Sequence, residues 1–374
     1  MKLEIKIINN LNELTENIKE WKALFDAIPS SDFYLHPYWH LSWWKTIGKK
    51  KKMHIIYISA EGKLVGVLPL AFYRGELNEA KLRMLGFSGG SQTDRNNYLL
   101  HPDYKSEGIQ IFQKEFDKLL TRVDVACLHS IPLHSELIDK QFLNNKKVHT
   151  IKNSSPYLNI TNLTNEQLQK SWSTSHRGDI KRQTKRLESI GELSLKVYSG
   201  TDEINHLLKE FLESHTLRWN YKFDKKYKRI QNFYRELIIA FNDIEDNGGA
   251  VHFSSLSLNN KPISHHFGFL SKHRFLYYKP TYNLEYQNYS PGKIHIAKLI
   301  ELGIQSEWEI FDFLLGDEKY KHNWMNGTDY SHSYYIMGGG LLGKFGMWWF
   351  TKGADMVRKL INTPKSIFKL KTYG

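Results

Sequence analysis

The chain has 374 residues and a mass of 44.0 kDa, which is long for one compact core and makes two domains the natural expectation. Its formal net charge of +13 favours an anionic partner, such as a nucleotide-linked compound, RNA or an anionic membrane surface. No apolar run is long enough to span a membrane, and we expect no signal peptide. The single cysteine, Cys127, excludes an intramolecular disulfide framework and indicates a buried thiol in a cytoplasmic protein.

The first half of the chain predicts a strand, two helices, three strands, a helix, a strand and a short helix. In chain order these are 2–9, 10–28, 37–47, 53–59, 63–73, 81–87, 106–121, 124–130 and 134–144. Residues 149–173 are interpreted as a linker. A strongly basic helix then runs from Ser171 to Glu188, where Arg177 is a candidate contact for an anionic substrate; a solvated helix face is the alternative.

The second half repeats this element order, which indicates a duplicated architecture without a repeat in the residues themselves. The predicted elements are strand 193–198, helices 201–219 and 225–245, strands 250–258, 262–270 and 274–282, a helix from Pro291, and strand 309–315. Asn259 and Asn260 suit the positive φ of the tight turn between the first two strands of the hairpin.

The helix that begins near Pro291 is a candidate anion site. Ser290 suits the N-cap and Pro291 the first helical position, while Gly292, Lys293 and Ile294 complete the first turn. The free N–H groups and the helix dipole favour a phosphate at such a turn. The alternative is a well-formed helix start without a ligand.

The second half resembles the GNAT acetyltransferase fold and, more narrowly, the CelD/BcsL (BioF2-like) type. The resemblance spans roughly residues 170–324 and rests on Ser175-His176-Arg177, Leu217-Arg218-Trp219, Lys261-Pro262-Ile263, Tyr277-Tyr278, Tyr282, Ser290-Pro291-Gly292 and the run from Phe311 to Lys321. It implies an α/β (α+β) fold with tandem GNAT-like domains, each a mixed, mostly antiparallel sheet flanked by helices. Tandem domains of this kind are also a feature of the Fem peptidyltransferases.

We therefore expect three segments with different roles. Residues 1–150 form a GNAT-like domain that provides a wall of the substrate cleft and binds no CoA, because Asp103 would repel a phosphate at the equivalent helix start. Residues 151–335 form the domain that binds acyl-CoA and catalyses. Residues 336–374 form a tail in which a Gly338–Gly340 hinge is followed by a basic amphipathic run, and this tail packs on the protein or makes peripheral contact with the inner membrane face.

The resemblance implies acetyl-CoA or another acyl-CoA as co-substrate, with its phosphates on Ser290–Ile294. Tyr320 is the candidate acid for the departing thiolate, with packing at the corner as the alternative. His266 is the candidate general base, and Asp317 a second proton acceptor. The candidate substrate-binding residues, besides Arg177, are His215, Arg218, Trp219, Tyr282, Glu318 and Lys321. No His or Cys cluster has metal-ligand spacing, so we expect no metal.

Several further expectations concern single side chains. Asp312 lies between two phenylalanines and needs a partner, for which Lys321 or Arg218 would serve. His265 and His266 are adjacent in a strand and should point to opposite faces of the sheet.

The predicted function is an acyl-CoA-dependent N-acyltransferase, with acetyl as the expected acyl group. Its predicted acceptor is an amino sugar, free or nucleotide- or lipid-linked, in cell-surface polysaccharide or envelope biosynthesis. One alternative is a Fem-like transferase that uses aminoacyl-tRNA, although the sequence has no heptad arm and no dense basic–aromatic stripe of the kind that binds RNA. Another is a non-enzymatic, membrane-associated scaffold that uses the tail.

Overall fold

The computed structural model describes residues 2–77, 80–198, 201–219, 225–242 and 249–340. The chain divides into two compact units. Of the described residues, unit 1 comprises those up to residue 153 together with 330–340, and unit 2 comprises those from 154 to 329. The unit boundaries differ from the predicted domain limits because residues 330–335 belong to unit 1. The predicted roles of the two domains stay predictions.

Unit 1 begins with a strand, three helices and a long antiparallel hairpin. Its elements are β1 (Leu3–Ile8), α1 (Leu11–Glu16), α2 (Ile18–Ala27), α3 (Pro37–Lys45), β2 (Lys52–Ala60), β3 (Lys63–Leu77), β4 (Ala80–Phe87), β5 (Leu99–Leu100), α4 (Lys105–Leu120), β6 (Val125–Pro132) and α5 (Lys140–Leu143). The predicted helix 10–28 is two helices, because the chain leaves helical geometry at Asn17, where φ is −96° and ψ is 7°.

The sheet of unit 1 has the strand order β1-β2-β3-β4-β6, and only the β4–β6 pair is parallel. Its main core packs α4 on one face of the sheet, with Phe112 and Phe116 against Ile56, Leu68 and Leu85. Cys127 is buried in this unit, as predicted, and burial raises the pKa of its thiol to about 12. The thiol is therefore a small apolar core group.

Unit 2 has the element order that was predicted for it, with two further elements in the segment interpreted as a linker. Its elements are β7 (Val148–Asn159), α6 (Asn165–Ser171), α7 (Thr174–Glu188), β8 (Leu193–Tyr198), α8 (Thr201–Trp219), α9 (Lys225–Asn242), β9 (Ala250–Leu258), β10 (Lys261–Ser271), β11 (Arg274–Tyr282), α10 (Pro291–Gln305) and β12 (Ile310–Asp312). The unit boundary falls inside β7, within the segment 149–173 that was interpreted as the link between the domains, and that segment has secondary structure of its own in β7 and α6.

The sheet of unit 2 has the strand order β8-β9-β10-β11-β12-β7, and only the β11–β12 pair is parallel. Helix α10 packs Leu299 and Ile300 into a core with Phe275 and Phe311. Helices α8 and α9 pack on Phe253 and other rings of β9 and β10. Among the described strands, each unit thus has one parallel pair, between the fourth and fifth strands in the sheet orders given above, which confirms the duplicated mixed sheet.

The last described strand, β13 (Gly327–Met337), was not predicted. Residues 331–337 of β13 pair with β6 in unit 1. Gly338, Gly339 and Gly340 then donate backbone hydrogen bonds to Asp124, Leu120 and Val123. A Cβ on Gly338 would lie 2.2 Å from the Val123 carbonyl oxygen. The three glycines therefore allow close backbone packing, where a hinge was predicted; residues 341–374 of the predicted tail lie outside the described residues.

Candidate active site

A pocket opens in unit 2 where β11 and β12 separate. The parallel ladder between them has only the pairs Arg274–Ile310, Phe275–Phe311 and Leu276–Asp312, and β11 continues beyond it. The cavity beyond the ladder has a volume of about 240 Å³. Its lining residues come from α8, β11, the segment between β11 and α10, α10 and the segment after β12: Arg218, Tyr277, Pro280, Thr281, Tyr282, Gln287, Ser290, Gly292, Lys293, Ile296, Tyr320, Asn323 and Trp324. Among these described residues none is Asp, Glu or His.

A β-bulge shapes the wall that β11 contributes. Phe267 pairs with Lys279 and Phe269 pairs with Leu276, so Tyr277 and Tyr278 together face the single residue Gly268. A Cβ on Gly268 would lie 2.2 Å from the Leu276 carbonyl oxygen, so only glycine fits there. Because of the bulge, Tyr277 lines the pocket while Tyr278 contacts Tyr234 of α9.

The start of α10 offers a backbone donor to the pocket. Ser290 has left-handed geometry, with φ 53° and ψ 49°, and its side chain makes no capping hydrogen bond, so the predicted N-cap side chain does not cap. Its carbonyl accepts from the N–H groups of Lys293 at 3.0 Å and Ile294 at 3.3 Å. Pro291 has no N–H. The Gly292 N–H, which has no intrahelical acceptor at this position, is therefore the donor on the pocket side.

Lys293 and Asp179 tie the start of α10 to helix α7. The Lys293 ammonium pairs with the Asp179 carboxylate, which also binds Arg182. These contacts, with the Lys293 hydrogen bond as the main cause, lower the pKa of Asp179. Lys293 thus contributes its aliphatic stem and a neutralised charge to the predicted phosphate site.

Helix α7 also supports the aromatic side of the pocket. Trp324 packs edge-on against His176 of α7, with ring centroids 4.4 Å apart, and against Trp172, at 5.1 Å. Arg177 does not line this pocket; its Nη1 donates to the Gln169 carbonyl at 2.9 Å. The exposed basic side chains of α7 are Lys181, Arg182, Lys185 and Arg186.

Arg218 is held flat against Tyr282. Its guanidinium carbon lies 4.4 Å from the centroid of the Tyr282 ring, and its Nη1 donates to the Pro280 carbonyl at 3.1 Å. The other end of the Tyr282 ring approaches α10, where a Cβ on Gly292 would lie 3.4 Å from Tyr282 Cδ1. Two of the predicted substrate-binding residues thus meet next to the predicted phosphate site.

The corner after β12 is built around a buried lysine. Lys321 Nζ donates to the carbonyls of Leu314, Leu315 and Gly316 at 3.1–3.3 Å and pairs with Glu318 at 2.8 Å. This cation holds Leu314 at φ 60°, an uncommon value for leucine. Neither Lys321 nor Glu318 lines the pocket, and substrate contact by these two residues stays a prediction.

Asp312 has a different partner from the one predicted. Its carboxylate is fully buried and accepts from Arg274 Nε at 2.7 Å and from the Leu314 N–H at 2.8 Å. The prediction of Lys321 or Arg218 as its partner was wrong, because the register of β11 and β12 brings Arg274 to the strand start nearby.

Two tyrosine hydroxyls with raised pKa values, those of Tyr277 and Tyr320, belong to the pocket lining. Loss of hydration is the main cause of the rise in pKa for both, although the Tyr320 side chain is 38% exposed; Glu318 adds to the rise at Tyr320 while Arg218 opposes it. Both hydroxyls therefore stay protonated near neutral pH. Asp317, the predicted proton acceptor, is exposed and pairs with His322 at 2.8 Å.

His266 lies behind the pocket wall. Its ring is fully buried and stacks on Tyr277 with centroids 4.5 Å apart. Burial lowers its pKa far below the ordinary value. His265 faces the other side of the sheet, as predicted, where Ser255 lies 2.7 Å from its Nδ1 and Glu210 lies nearby.

Sequence reasoning missed a buried hydrogen-bonded chain beside His266. Ser264 Oγ donates to the Thr281 carbonyl at 2.9 Å and contacts His295 Nδ1 at 2.9 Å, while Ser254 Oγ contacts His295 Nε2 at 3.0 Å. Ser264 has one proton and gives it to the carbonyl, so His295 must donate from Nδ1 and accept at Nε2. His295 is therefore neutral with its proton on Nδ1, and this chain of hydrogen bonds connects α10 to β9, β10 and β11.

The remaining predicted site residues belong to α8 and to the first turn of α10. His215 is buried in α8, and burial lowers its pKa to about 3, with Lys279 and Arg218 adding to the effect. Pro291 and Ile294 are buried in the first turn of α10. Trp219 is the last residue of α8.

The lining residues that were not predicted as site residues include Tyr277, Gln287, Asn323 and Trp324. Of these, only Tyr277 was quoted in the family resemblance, as part of Tyr277-Tyr278. Over the described ranges, no group of three or more His, Cys, Asp or Glu side chains is arranged to hold a metal ion. No described helix is both long and apolar enough to cross a membrane.

A protein family model matches part of unit 2. Residues 174–322 match the model described as acetyltransferase (GNAT) domain. No curated protein matches the sequence.

Three solved structures are similar over nearly the whole chain. FemX matches with a TM-score of 0.57 at 11% identity, over 97% of this chain and 100% of FemX. The C-terminal domain of a putative lysylphosphatidylglycerol synthetase from Agrobacterium fabrum matches at 0.54 and 7% identity, over 93% and 95%. A tandem GNAT protein from the clavulanic acid biosynthesis pathway matches at 0.52 and 11% identity, over 91% and 99%. The chain therefore has a GNAT acetyltransferase fold with tandem GNAT-like structural neighbours.

Proposed function

We propose that the protein is an acyl-CoA-dependent N-acyltransferase whose active site is the pocket of unit 2. The observation that carries the proposal is the position of this pocket. It opens where β11 and β12 diverge, with the Gly292 N–H on one side and the Tyr320 side chain on the other. A helix N-terminus favours the pyrophosphate of a CoA thioester, and a phenol suits a developing thiolate.

The donor is proposed to bind unit 2 alone. The exposed basic side chains of α7 lie on the helix that Asp179 joins to α10, which favours an anionic ligand. In unit 1, a cavity of about 480 Å³ lies at the segment that leads into α4, and its lining includes Glu20, Glu61 and Asp103 beside Lys63 and His101. Three carboxylates make that cavity a poor phosphate site.

The proposed roles of the pocket residues depend on which of them can give up or accept a proton. The acceptor nitrogen forms a bond to the thioester carbon, the carbon–sulfur bond breaks, and the thiolate takes the proton of the Tyr320 hydroxyl, which solvent then restores. The described lining has no carboxylate or imidazole, so we propose that the amine loses its proton to water. The base roles of His266 and Asp317 stay predictions, and substitution of each would test them.

The proposed acceptor is an amino sugar, with cell-surface polysaccharide or envelope assembly as the setting that the CelD/BcsL resemblance suggests. Tyr282, Tyr320 and Trp324 offer ring faces, and Gln287 and Asn323 offer amides, a combination that suits a sugar ring with hydroxyl groups. Acetyl is the proposed acyl group, and the cytoplasm is the proposed location.

We expect Tyr320→Phe to lower kcat by roughly 100-fold, because one acid–base group is lost while the ring remains. KM for acetyl-CoA should change little, since the hydrogen bond strengthens only as charge develops on sulfur. Steady-state release of free CoA thiol at saturating acceptor measures both constants. An unchanged kcat would remove Tyr320 from the chemistry, and Asp317 would then be the residue to test.

A second candidate is the transfer of an aminoacyl group from tRNA. The exposed basic face of α7 favours it. Charged tRNA and acetyl-CoA offered to the same preparation would distinguish the two donors, since only the true donor should be consumed in the presence of acceptor. The scaffold alternative depends on the tail after residue 340, which lies outside the described residues.

A further inference from the structure

The pocket of unit 2 is too small for a whole CoA thioester. Its cavity has a volume of about 240 Å³. Pockets that enclose drug-sized ligands have volumes of roughly 300–1,000 Å³, and CoA is larger than such ligands. The cavity would therefore take only the thioester end of the donor. The nucleotide, which carries a phosphate on its 3′ oxygen, would lie outside the cavity, beyond the first turn of α10.

Helix α7 lies beside the start of α10 and carries two arginines there. Lys293 of α10 pairs with Asp179 of α7, and Asp179 also binds Arg182. One turn further along α7, Arg186 Nη1 donates to the Asn288 carbonyl in the segment that leads into α10, at 3.1 Å. The 3′-phosphate of CoA is joined to the pyrophosphate through a single ribose ring. It would therefore come within reach of side chains that border the first turn of α10.

Arg186 has a fixed position at the edge of the pocket. Asn288, whose carbonyl it binds, lies two residues before the lining residue Ser290. The Arg186 guanidinium carbon lies 4.9 Å from the centroid of the Tyr289 ring, and Nη1 donates a second hydrogen bond to Gln183, at 2.9 Å. Within the described part of the chain, both hydrogen bonds use Nη1. The donors at Nε and Nη2 of this exposed side chain are therefore available to a ligand.

The exposed face of α7 has an excess of positive charge. Lys181, Arg182, Lys185 and Arg186 are exposed, and Glu188 is the one exposed acid of this fully described helix. Residues four apart on a helix are neighbours, so Lys181 and Lys185 form a like-charge pair, as do Arg182 and Arg186. Such pairs destabilise a helix. An anion bound on this face would offset the repulsion.

We propose that Arg186, with Arg182 beside it, binds the 3′-phosphate of the donor nucleotide on the exposed face of α7. The inference rests on the proposed acyl-CoA-dependent function and adds a binding subsite to it. A guanidinium can bind a phosphate through two parallel hydrogen bonds, and such charge-assisted bonds are stronger than neutral ones. Arg186 is then the residue by which the protein distinguishes CoA from a donor that lacks this phosphate.

Binding of CoA and of dephospho-CoA, which lacks only the 3′-phosphate, tests the inference without turnover. In isothermal titration of the full chain, the wild-type protein should bind CoA about 10- to 100-fold more tightly than dephospho-CoA, as expected for a charge-assisted pair. Arg186→Gln should bring the two affinities close together. Loss of the Arg186 contact to the Asn288 carbonyl would weaken both ligands alike, so the ratio of the two affinities is the readout.

Lys209→Gln is the matched control. It removes the same charge from an exposed side chain of α8, which packs on the other face of the sheet from α10. Phe211 of α8 contacts Phe253 of β9. His295 of α10 contacts Ser254, the next residue of β9, and successive side chains of a strand point to opposite faces. This variant should keep the preference for CoA.

The outcomes separate the subsite from the proposed function. Equal affinity of the wild-type protein for CoA and dephospho-CoA, or a preference that survives Arg186→Gln, overturns the inference although the proposed function stands. A preference lost to the same extent in Lys209→Gln would reflect net charge alone and would also overturn it. If the wild-type protein binds neither ligand, the proposed function fails and the subsite fails with it.

Discussion

Gly292→Asp is expected to abolish binding of acyl-CoA. The Gly292 N–H faces the pocket at the first turn of α10, where a bound phosphate would approach the backbone. An aspartate there adds a negative charge within a few ångströms of the phosphate and fills the space beside Tyr282. Titration of the variant with acetyl-CoA should show no saturable binding, which corresponds to a loss of at least about 100-fold for direct charge repulsion in a partly desolvated site.

Two controls distinguish the effect of the added charge from that of the added bulk, and a donor site in unit 2 from one in unit 1. In Gly292→Ala the added Cβ would lie 3.4 Å from the Tyr282 ring, an ordinary contact, so affinity should fall only a few-fold. Pro102→Asp places the same carboxylate at an exposed position in the segment that leads into α4 of unit 1 and should leave affinity intact. A loss of CoA affinity in Pro102→Asp equal to that in Gly292→Asp would contradict the single donor site.

Acidification should unfold unit 2 at a mildly acidic pH. Burial lowers the pKa of His215 and His295 to about 3 and that of His252 to about 4, from an ordinary value of 6.5, and it lowers the pKa of His266 further still. The folded state keeps these rings neutral, whereas the unfolded chain protonates them below its pKa. Stability is therefore complete above pH 6.5 and falls as the pH drops from there toward the folded values.

The expected size of this effect is large. Each histidine that stays neutral removes about 1.4 kcal/mol from the free energy of unfolding per pH unit, so at pH 5 four of them remove roughly 8 kcal/mol. This is comparable to the whole stability of a typical domain, about 5–15 kcal/mol. Urea unfolding between pH 5 and pH 8, followed by circular dichroism, measures the slope.

His266→Leu tests which groups cause the slope. The leucine keeps an apolar side chain of similar size against Tyr277 and removes one buried proton site, so the slope should decrease by about 1.4 kcal/mol per pH unit. His206→Gln changes an exposed histidine of α8 and should leave the slope unchanged. If His266→Leu and the wild type have the same slope, His266 is not kept neutral by folding.

The sequence predicted those parts of the fold that local physics determines. Asn259 and Asn260 do adopt positive φ, at 48° and 63°, because asparagine tolerates this geometry and a two-residue turn requires it. The start of α10 at Pro291 was likewise predicted from the sequence, because proline suits the first position of a helix. In contrast, β7 and β13 were not predicted. Each pairs with strands that are distant in the sequence, and local residue patterns do not indicate such pairing.

The candidate site, like the fold, was predicted only in part. Arg218, Tyr282, Gly292 and Tyr320 were placed near one another by the family resemblance, and the structure brings all four to one pocket. The burial of Lys321 was not predicted, because it depends on the turn from Leu314 to Gly316, which the cation itself stabilises. Trp324 and Asn323 lie after the corner that follows β12, and residue types alone do not predict the path of the backbone through that corner.

The oxygen cage around Lys321 has a consequence for chemical self-damage. Under the proposed function, an acyl thioester bound in the pocket would acylate any lysine of the protein whose nitrogen reached the thioester carbon. Lys321 directly follows Tyr320, yet its side chain is buried, and its nitrogen is held by three carbonyl oxygens and the Glu318 carboxylate. The contacts that shape the corner thus keep this nitrogen out of the pocket lining.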